Sequence, residues 1–192
     1  MVMNFDKYYK EYDEWFEKNK EIYLKELNAL KKYIPKGKGL EVGVGTGRFA
    51  QPLGIKYGLD PSKNMAKLAE ERGVKVYIGY AENMPFEDNS FDFILLNTTL
   101  CFLKDVEKAL KEIKRVLKPG GYLIIGMIDK NSKLGKIYEA KKDKSKFYKD
   151  ANFFSLDEVI ELLKRFGFKD IEYERVRLSE EDDGSYVIIR AK

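Results

Sequence analysis

The chain has 192 residues, 44% of them hydrophobic, which suits one domain with a single core of ordinary size. Its net charge of +4 is the small difference between 36 basic and 32 acidic residues intermixed along the chain, a solvated surface rather than a nucleic-acid footprint. With no histidine and one cysteine, Cys101, the sequence excludes an internal disulfide and any multi-cysteine metal site, and it argues against a metalloenzyme or a histidine-based hydrolase.

No apolar run reaches the length of about 18 residues that a membrane span needs, so no membrane association is expected. The start, MVMNFDKYYKEYDEW, lacks the uninterrupted apolar stretch of a secretory signal, which makes the expected compartment cytoplasmic. Lysine far outnumbers arginine and Gln51 is the only glutamine, a balance that leans toward a thermophilic source.

Residues 6–34 carry apolar groups at helical spacing, including Tyr8, Tyr12, Trp15, Phe16, Tyr23, Leu27 and Leu30, and predict two helices or one bent one before Pro35 and Gly37. From Gly39 the pattern becomes strand (LEVGV), glycine-rich turn, and a helix kept short by Pro52. IKYGLD predicts a second strand, Ser62 to Arg72 a helix closed by Gly73, and VKVYIG a third strand. FDFILLN is a fourth strand whose near-continuous apolar run predicts burial on both faces. Asp105 to Leu117 is an amphipathic helix ended by Pro119-Gly120-Gly121, and GYLIIGMID is a fifth strand. Residues 130–154 show no clear period and predict a loop with at most one short helix. Ser155 and Glu158 have the spacing of a capping box for a helix ending at Gly167. DIEYERVRL and SYVIIRA predict two strands joined by the acidic turn SEEDDG, hence antiparallel.

Strands alternating with helices predict a doubly wound, Rossmann-like α/β fold. It is expected to hold a seven-stranded, mostly parallel sheet with one antiparallel strand near the C-terminus and a ligand crevice at the carboxyl ends of the strands. A single domain over 1–192 is expected, with a helical cap at 1–36, a cofactor-binding core at 37–129, a lid at 130–154 and a C-terminal helix and hairpin at 155–192.

The strongest motif is Glu41-Val42-Gly43-Val44-Gly45-Thr46-Gly47, where alternate glycines let the backbone turn tightly and approach a ligand. Asp60 closes the second strand, where a carboxylate can accept hydrogen bonds from both ribose hydroxyls. Together they point to a nucleotide-like ligand. The spacing is G-x-G-x-G, with Arg48 where a dinucleotide fingerprint has its third glycine, and no Walker lysine follows.

Four stretches, EVGVGTGRFA, GLDPSKNM, GYAENMPFEDNSFDFILLN and ALKEIKRVLKPGGYLII, together resemble the class I S-adenosylmethionine-dependent methyltransferases. They are closest to the methyltransferase type 11 family that includes the ubiquinone/menaquinone-biosynthesis enzymes, and the resemblance covers roughly residues 39–126. It implies that Gly43, Gly45 and Gly47 line the methionine half of S-adenosylmethionine, with Glu41 reaching its amino group. It implies that Asp60 holds the ribose, Pro61 and Met65 flank the adenine, Ala81 offers its N–H to the ring with Glu82 nearby, and Asn97 lies below the methionine portion. The sequence departs from the family at Tyr80, where an aspartate is usual, and at Cys101-Phe102, where a histidine pair is common. Cys101 itself reads as a small buried side chain.

No metal is expected, and no catalytic residue can be singled out. A methyl sulfonium is already activated, so transfer needs mainly proximity and alignment. The aromatic-rich flanks can fold over the sheet edge as a lid, which makes Tyr12, Trp15, Tyr23, Phe102, Tyr138 and Tyr148 candidate substrate residues. Expected is methylation of an N, O or S atom of a small molecule. The alternatives are an RNA or protein methyltransferase, for which KKDKSKFYK (141–149) is the available nucleic-acid element, or a non-catalytic S-adenosylmethionine-binding regulator. The sequence gives no oligomeric state.

Overall fold

The computed structural model describes residues 2–192, with side chains from Asn4 onward; Met1 lies outside the described residues. Three helices open the chain, α1 (Val2–Lys7), α2 (Tyr9–Lys18) and α3 (Lys20–Lys31). The sheet and its helices follow as β1 (Gly39–Val42), β2 (Tyr57–Asp60), α4 (Lys63–Glu71), β3 (Lys75–Ile78), β4 (Phe91–Asn97), α5 (Val106–Val116) and β5 (Leu117–Ile128). The chain ends with α6 (Lys133–Lys141), α7 (Leu156–Arg165), β6 (Glu172–Val176) and β7 (Tyr186–Ala191). No helix is long and apolar enough to cross a membrane.

The seven strands lie in the order β3-β2-β1-β4-β5-β7-β6, parallel except for β7, which runs antiparallel to both neighbours. The sheet is covered on both faces, and side chains alternate between two cores as a pleat requires. Ile94 and Leu96 of β4, with Leu123 and Ile125 of β5, pack under α5 and α7 against Leu110, Ile113 and Leu163. Phe93, Leu95 and Ile124 point the other way, toward Leu27 and Leu30 of α3 and Ala69 of α4. The capping box of α7 forms as its sequence dictates: Ser155 Oγ accepts from Glu158 N–H while Glu158 accepts from Ser155 N–H.

Of three local expectations, two hold and one is corrected. Residues 6–34 form two helices, α2 and α3, as the spacing predicts, and α1 adds a third ahead of them, with breaks at Tyr8 and Asn19. After the glycine loop no regular helix forms; the backbone makes helix-like bonds from Gln51 to Gly47 and from Leu53 to Phe49, then leaves. Pro52 has no N–H to give the Arg48 carbonyl, which accepts instead from Tyr23 Oη at 2.5 Å. In the 130–154 segment the one short helix that the sequence allows is α6, which forms behind the N-cap Ser132, whose Oγ accepts from Gly135 N–H.

Arg48 also anchors the N-terminal helices. Its guanidinium grips Asp13 of α2 in a two-toothed pair, with Nε at 2.9 Å and Nη2 at 2.7 Å, and Arg72 at the end of α4 reaches the same carboxylate at 2.9 Å. These two cations hold the Asp13 carboxyl well below the usual range against the opposing effect of burial. Asp13→Ala should therefore strip two partly buried guanidiniums of their shared carboxylate and cost about 2 kcal/mol or more in urea denaturation. Glu17→Ala, removing the exposed partner of the same arginine, should cost less than about 0.5 kcal/mol. Equal costs for the two variants would show that the Asp13 clasp does not hold the cap.

Candidate functional site

The carboxyl ends of β1, β2, β4 and β5 open into one cavity of about 600 Å³. Its floor begins where β1 ends. Gly43, Gly45 and Gly47 have φ of +71°, +53° and +79°, the left-handed region that favours glycine. A Cβ on Gly43 would stand 2.4 Å from the Thr99 side chain, so no other residue fits there. Over Gly45 there is open space, closed only by the Tyr12 ring at 3.6 Å from where a Cβ would be.

Asp60 ties this loop to its surroundings. One carboxylate oxygen accepts from Gly45 N–H and the other from Ser62 N–H, both at 2.8 Å. Two of its roughly four acceptor positions are thereby used, and the residue still lines the cavity. Beside it, Asp6 of α1 accepts from Ser62 Oγ at 2.7 Å and Asn64 N–H at 3.0 Å, docking α1 against the start of α4.

At the end of β4, Asn97 Oδ1 accepts from Tyr186 Oη at 2.7 Å, in space that exists because Gly126 has no Cβ. Its Nδ2 is buried with no partner among the described residues, as is Oε2 of Glu41 on β1. The unmet donor at the end of β4, on the cavity wall, suits a ligand carrying a carboxylate. Thr98 follows with φ +51°, a strained conformation for a β-branched residue, held by its N–H to Gly126 O at 2.7 Å.

The roof comes from both ends of the motif region. Phe5 packs on Phe102 at 5.0 Å and Phe147 at 5.1 Å between ring centroids, and Tyr12 meets Phe147 at 5.8 Å. Tyr148 lies between Phe102 at 5.7 Å and Tyr138 at 5.1 Å, stacked on both. Polar ties join the same segments: Lys146 Nζ to Glu11 at 3.0 Å, and Asn4 Nδ2 to Lys146 O at 2.9 Å.

Of the residues that the sequence singles out, Gly43, Gly45, Asp60, Pro61, Met65, Ala81, Glu82 and Asn97 line this cavity, as do Tyr12, Trp15, Phe102, Tyr138 and Tyr148. Three lie off it. Glu41 sits beneath the floor, and Gly47 is a turn position packed 3.1 Å from Ala69. Tyr23 is committed to Arg48 O and to the rings of Phe16 and Phe49. Glu82 Oε1 accepts from Lys104 and Asp105 N–H, and Tyr80 lies half exposed at the rim with Lys104 Nζ over its ring. Cys101 faces a small neighbouring pocket, and burial pushes its thiol up to about 12.

Cavity residues that the sequence does not single out as site candidates include Phe5, Glu26 and Phe147, the last belonging to the aromatic flank expected to close the site. Glu26 had a legible signal, since it stands one helical turn from Ile22 and Leu30 and shares their apolar face.

A sheet of this order, with a glycine loop after its first strand and an acid closing the second, defines an α/β enzyme core built for a nucleoside cofactor. Residues 40–125 match the family model described as a methyltransferase domain. The chain is similar to a Thermotoga maritima S-adenosylmethionine-dependent methyltransferase, described as a possible histamine N-methyltransferase. Its crystal structure matches with a TM-score of 0.93 and 46% identity, covering 100% of this chain and 99% of that one. An uncharacterized protein of Methanocaldococcus jannaschii is 61% identical over 168 residues, 88% of this chain and 82% of that protein. A demethylmenaquinone methyltransferase of Staphylococcus carnosus is 31% identical over 171 residues, 72% of this chain and 71% of the enzyme. The chain belongs to the class I S-adenosylmethionine-dependent methyltransferases, in the type 11 family, and S-adenosylmethionine is its cofactor.

Burial sets the ionisation of the site. It pushes Asp60 up to about 6, Glu26 up to about 8, and Glu41 well above the ordinary carboxylate range. Above the unfolded carboxylate pKa of about 4, the folded chain thus retains protons that the unfolded chain has released. The associated stability is fully present below that pKa and is lost as pH rises through the folded values. The calorimetric melting temperature should fall between about pH 5 and about pH 8, and Glu26→Gln should flatten the upper part of that slope. A melting temperature independent of pH over this range would mean that these carboxylates ionise normally.

Proposed function

We propose that the chain methylates an N, O or S atom of a small molecule enclosed with the cofactor in this one cavity of about 600 Å³. The observation that carries this reading is the closed aromatic roof over the glycine loop. At about 600 Å³ the cavity is within the range that holds one drug-sized ligand, so an acceptor that shares it with a nucleoside cofactor is small. The Thermotoga maritima relative, described as a possible histamine N-methyltransferase, supports an acceptor of that size.

When bound, S-adenosylmethionine supplies an electrophilic methyl group on a sulfonium. In this reading Asp60 binds the ribose hydroxyls with the acceptor positions that Gly45 and Ser62 leave unused. Asn97 Nδ2 holds the amino-acid end, Glu41 beneath the floor reaches its amino group through a bridging water, and Pro61, Met65 and Ala81 frame the adenine beside Glu82 and Tyr80. Tyr12, Phe102 and Tyr148 exclude water and align the acceptor. The N-terminal cap and the 130–154 segment act together as the lid.

Asp60→Asn keeps the side-chain volume and removes the charged acceptor. It should weaken S-adenosylhomocysteine binding by about 1.5–3 kcal/mol in titration calorimetry. Hydrogen exchange should slow in α1, α2 and α6 when that ligand is added. Unchanged affinity in the variant would remove Asp60 from the ribose site. Exchange unaffected by ligand would remove the lid, favouring an open groove and a macromolecular acceptor.

A further inference from the structure

Six acidic side chains line the cavity, Glu11, Glu26, Asp60, Glu82, Glu181 and Asp182, against two lysines. Glu11 pairs with Lys146, while Asp60, Glu82 and Asp182 accept backbone N–H bonds. Glu26 alone among them is buried yet forms no hydrogen bond or ion pair among the described residues. The cofactor reading gives it no task.

Its surroundings are aromatic. Its charge bears on Tyr12 of α2, Tyr138 of α6, Tyr148 beyond α6 and Tyr186 of β7. All four phenols are raised above their ordinary value, so they remain protonated through the neutral range. Tyr186 spends its proton on Asn97. The two cavity lysines are directed elsewhere, Lys133 Nζ to Glu181 O and Lys104 Nζ over Tyr80. Among the described residues no cation meets Glu26.

A buried carboxylate without a partner is costly, and a chain keeps one where a ligand supplies the partner. A cationic ligand group fits on three counts: the lone carboxylate, the acidic excess of the lining, and ring faces that attract cations. Anionic acceptors fit on none.

We propose, resting on the methyltransferase reading above, that the acceptor is a small amine whose ammonium group is held by Glu26, which takes the proton that must leave nitrogen before it attacks. The proton passes from the ammonium to the Glu26 carboxylate and frees the nitrogen lone pair. That pair forms the bond to the methyl carbon. The bonding pair of the breaking S–CH₃ bond stays on sulfur as a neutral thioether, and the methylated nitrogen leaves as an ammonium. Burial that raises Glu26 to about 8 places it near the operating pH, where proton exchange with an amine is efficient.

The test is calorimetric titration of the S-adenosylhomocysteine complex with phenethylamine, tyramine and histamine, each beside the alcohol of the same skeleton. At least one amine should bind tenfold or more tighter than its alcohol. Glu26→Gln should weaken that amine tenfold or more, while leaving the alcohol and S-adenosylhomocysteine unchanged. With S-adenosylmethionine, wild type should methylate the amine nitrogen by mass spectrometry, and Glu26→Gln should lower kcat as well as raise KM. Amines that bind no better than alcohols, no amine binding at all, or full amine affinity in Glu26→Gln would each overturn the proposal. Failure of wild type to bind S-adenosylhomocysteine would instead overturn the cofactor reading on which it rests.

Discussion

The Asp60 carboxylate joins parts of the chain that lie far apart in sequence. It receives the N–H of Gly45 from the loop after β1 and the N–H of Ser62 from the turn into α4. Through Ser62 it stands next to Asp6, which brings α1 to the same corner. Because Gly45 has left-handed backbone, its N–H meets the end of β2 only if the loop is built as it is. The shape of the floor, the start of α4 and the seat of the first helix therefore share one buried acid. That acid is itself destabilised by burial, with Asp6 adding a like charge. The site is held in geometry by a group that gains most when a ligand donates to it.

The sheet was legible because each of its determinants is local. Alternating or continuous apolar runs, glycine at obligatory turns, and the Ser155–Glu158 capping box act within a few residues, and the observed strands and α7 follow them closely. The misses are cases where a distant partner decides. The helix expected after Gly47 dissolves into turns because Pro52 frees the Arg48 carbonyl for Tyr23, a residue 25 positions earlier. Arg48 reads in sequence only as a departure from a dinucleotide fingerprint. Its work, gripping Asp13, depends on where α2 lies.

The cofactor floor was likewise more legible than the roof. Gly43, Gly45, Asp60 and Asn97 sit at strand ends, and strand ends can be counted from the sequence. Phe5 and Phe147 are two aromatics among the 25 phenylalanines and tyrosines of the chain, and only the meeting of two remote segments shows that they face each other. Glu26 escaped for a different reason. A glutamate on a lysine-rich helix reads as surface, and its burial shows only from the register it shares with Ile22 and Leu30.

The absence of histidine becomes intelligible in this frame. Transfer from a sulfonium asks for enclosure and alignment more than for acid catalysis, and residues of the N-terminal helices and of the segment around α6 border the cavity. These two parts of the roof are held with different firmness. α2 is fixed by a partly buried, two-arginine clasp at Asp13, and α3 is fixed by Leu27 and Leu30 in the core. By contrast, Lys146–Glu11 is an exposed ion pair worth little in water. The aromatic contacts of Phe5, Phe147 and Tyr148 are non-directional burial that survives small shifts. A roof built this way can part between the N-terminal helices and the 142–150 stretch while α1, docked through Asp6, stays with α2 and α3. The breaks at Tyr8 and Asn19 divide the N-terminal segment into three short helices, each seated by different contacts: Asp6 on Ser62 and Asn64, Asp13 on two arginines, and Leu27 with Leu30 in the core.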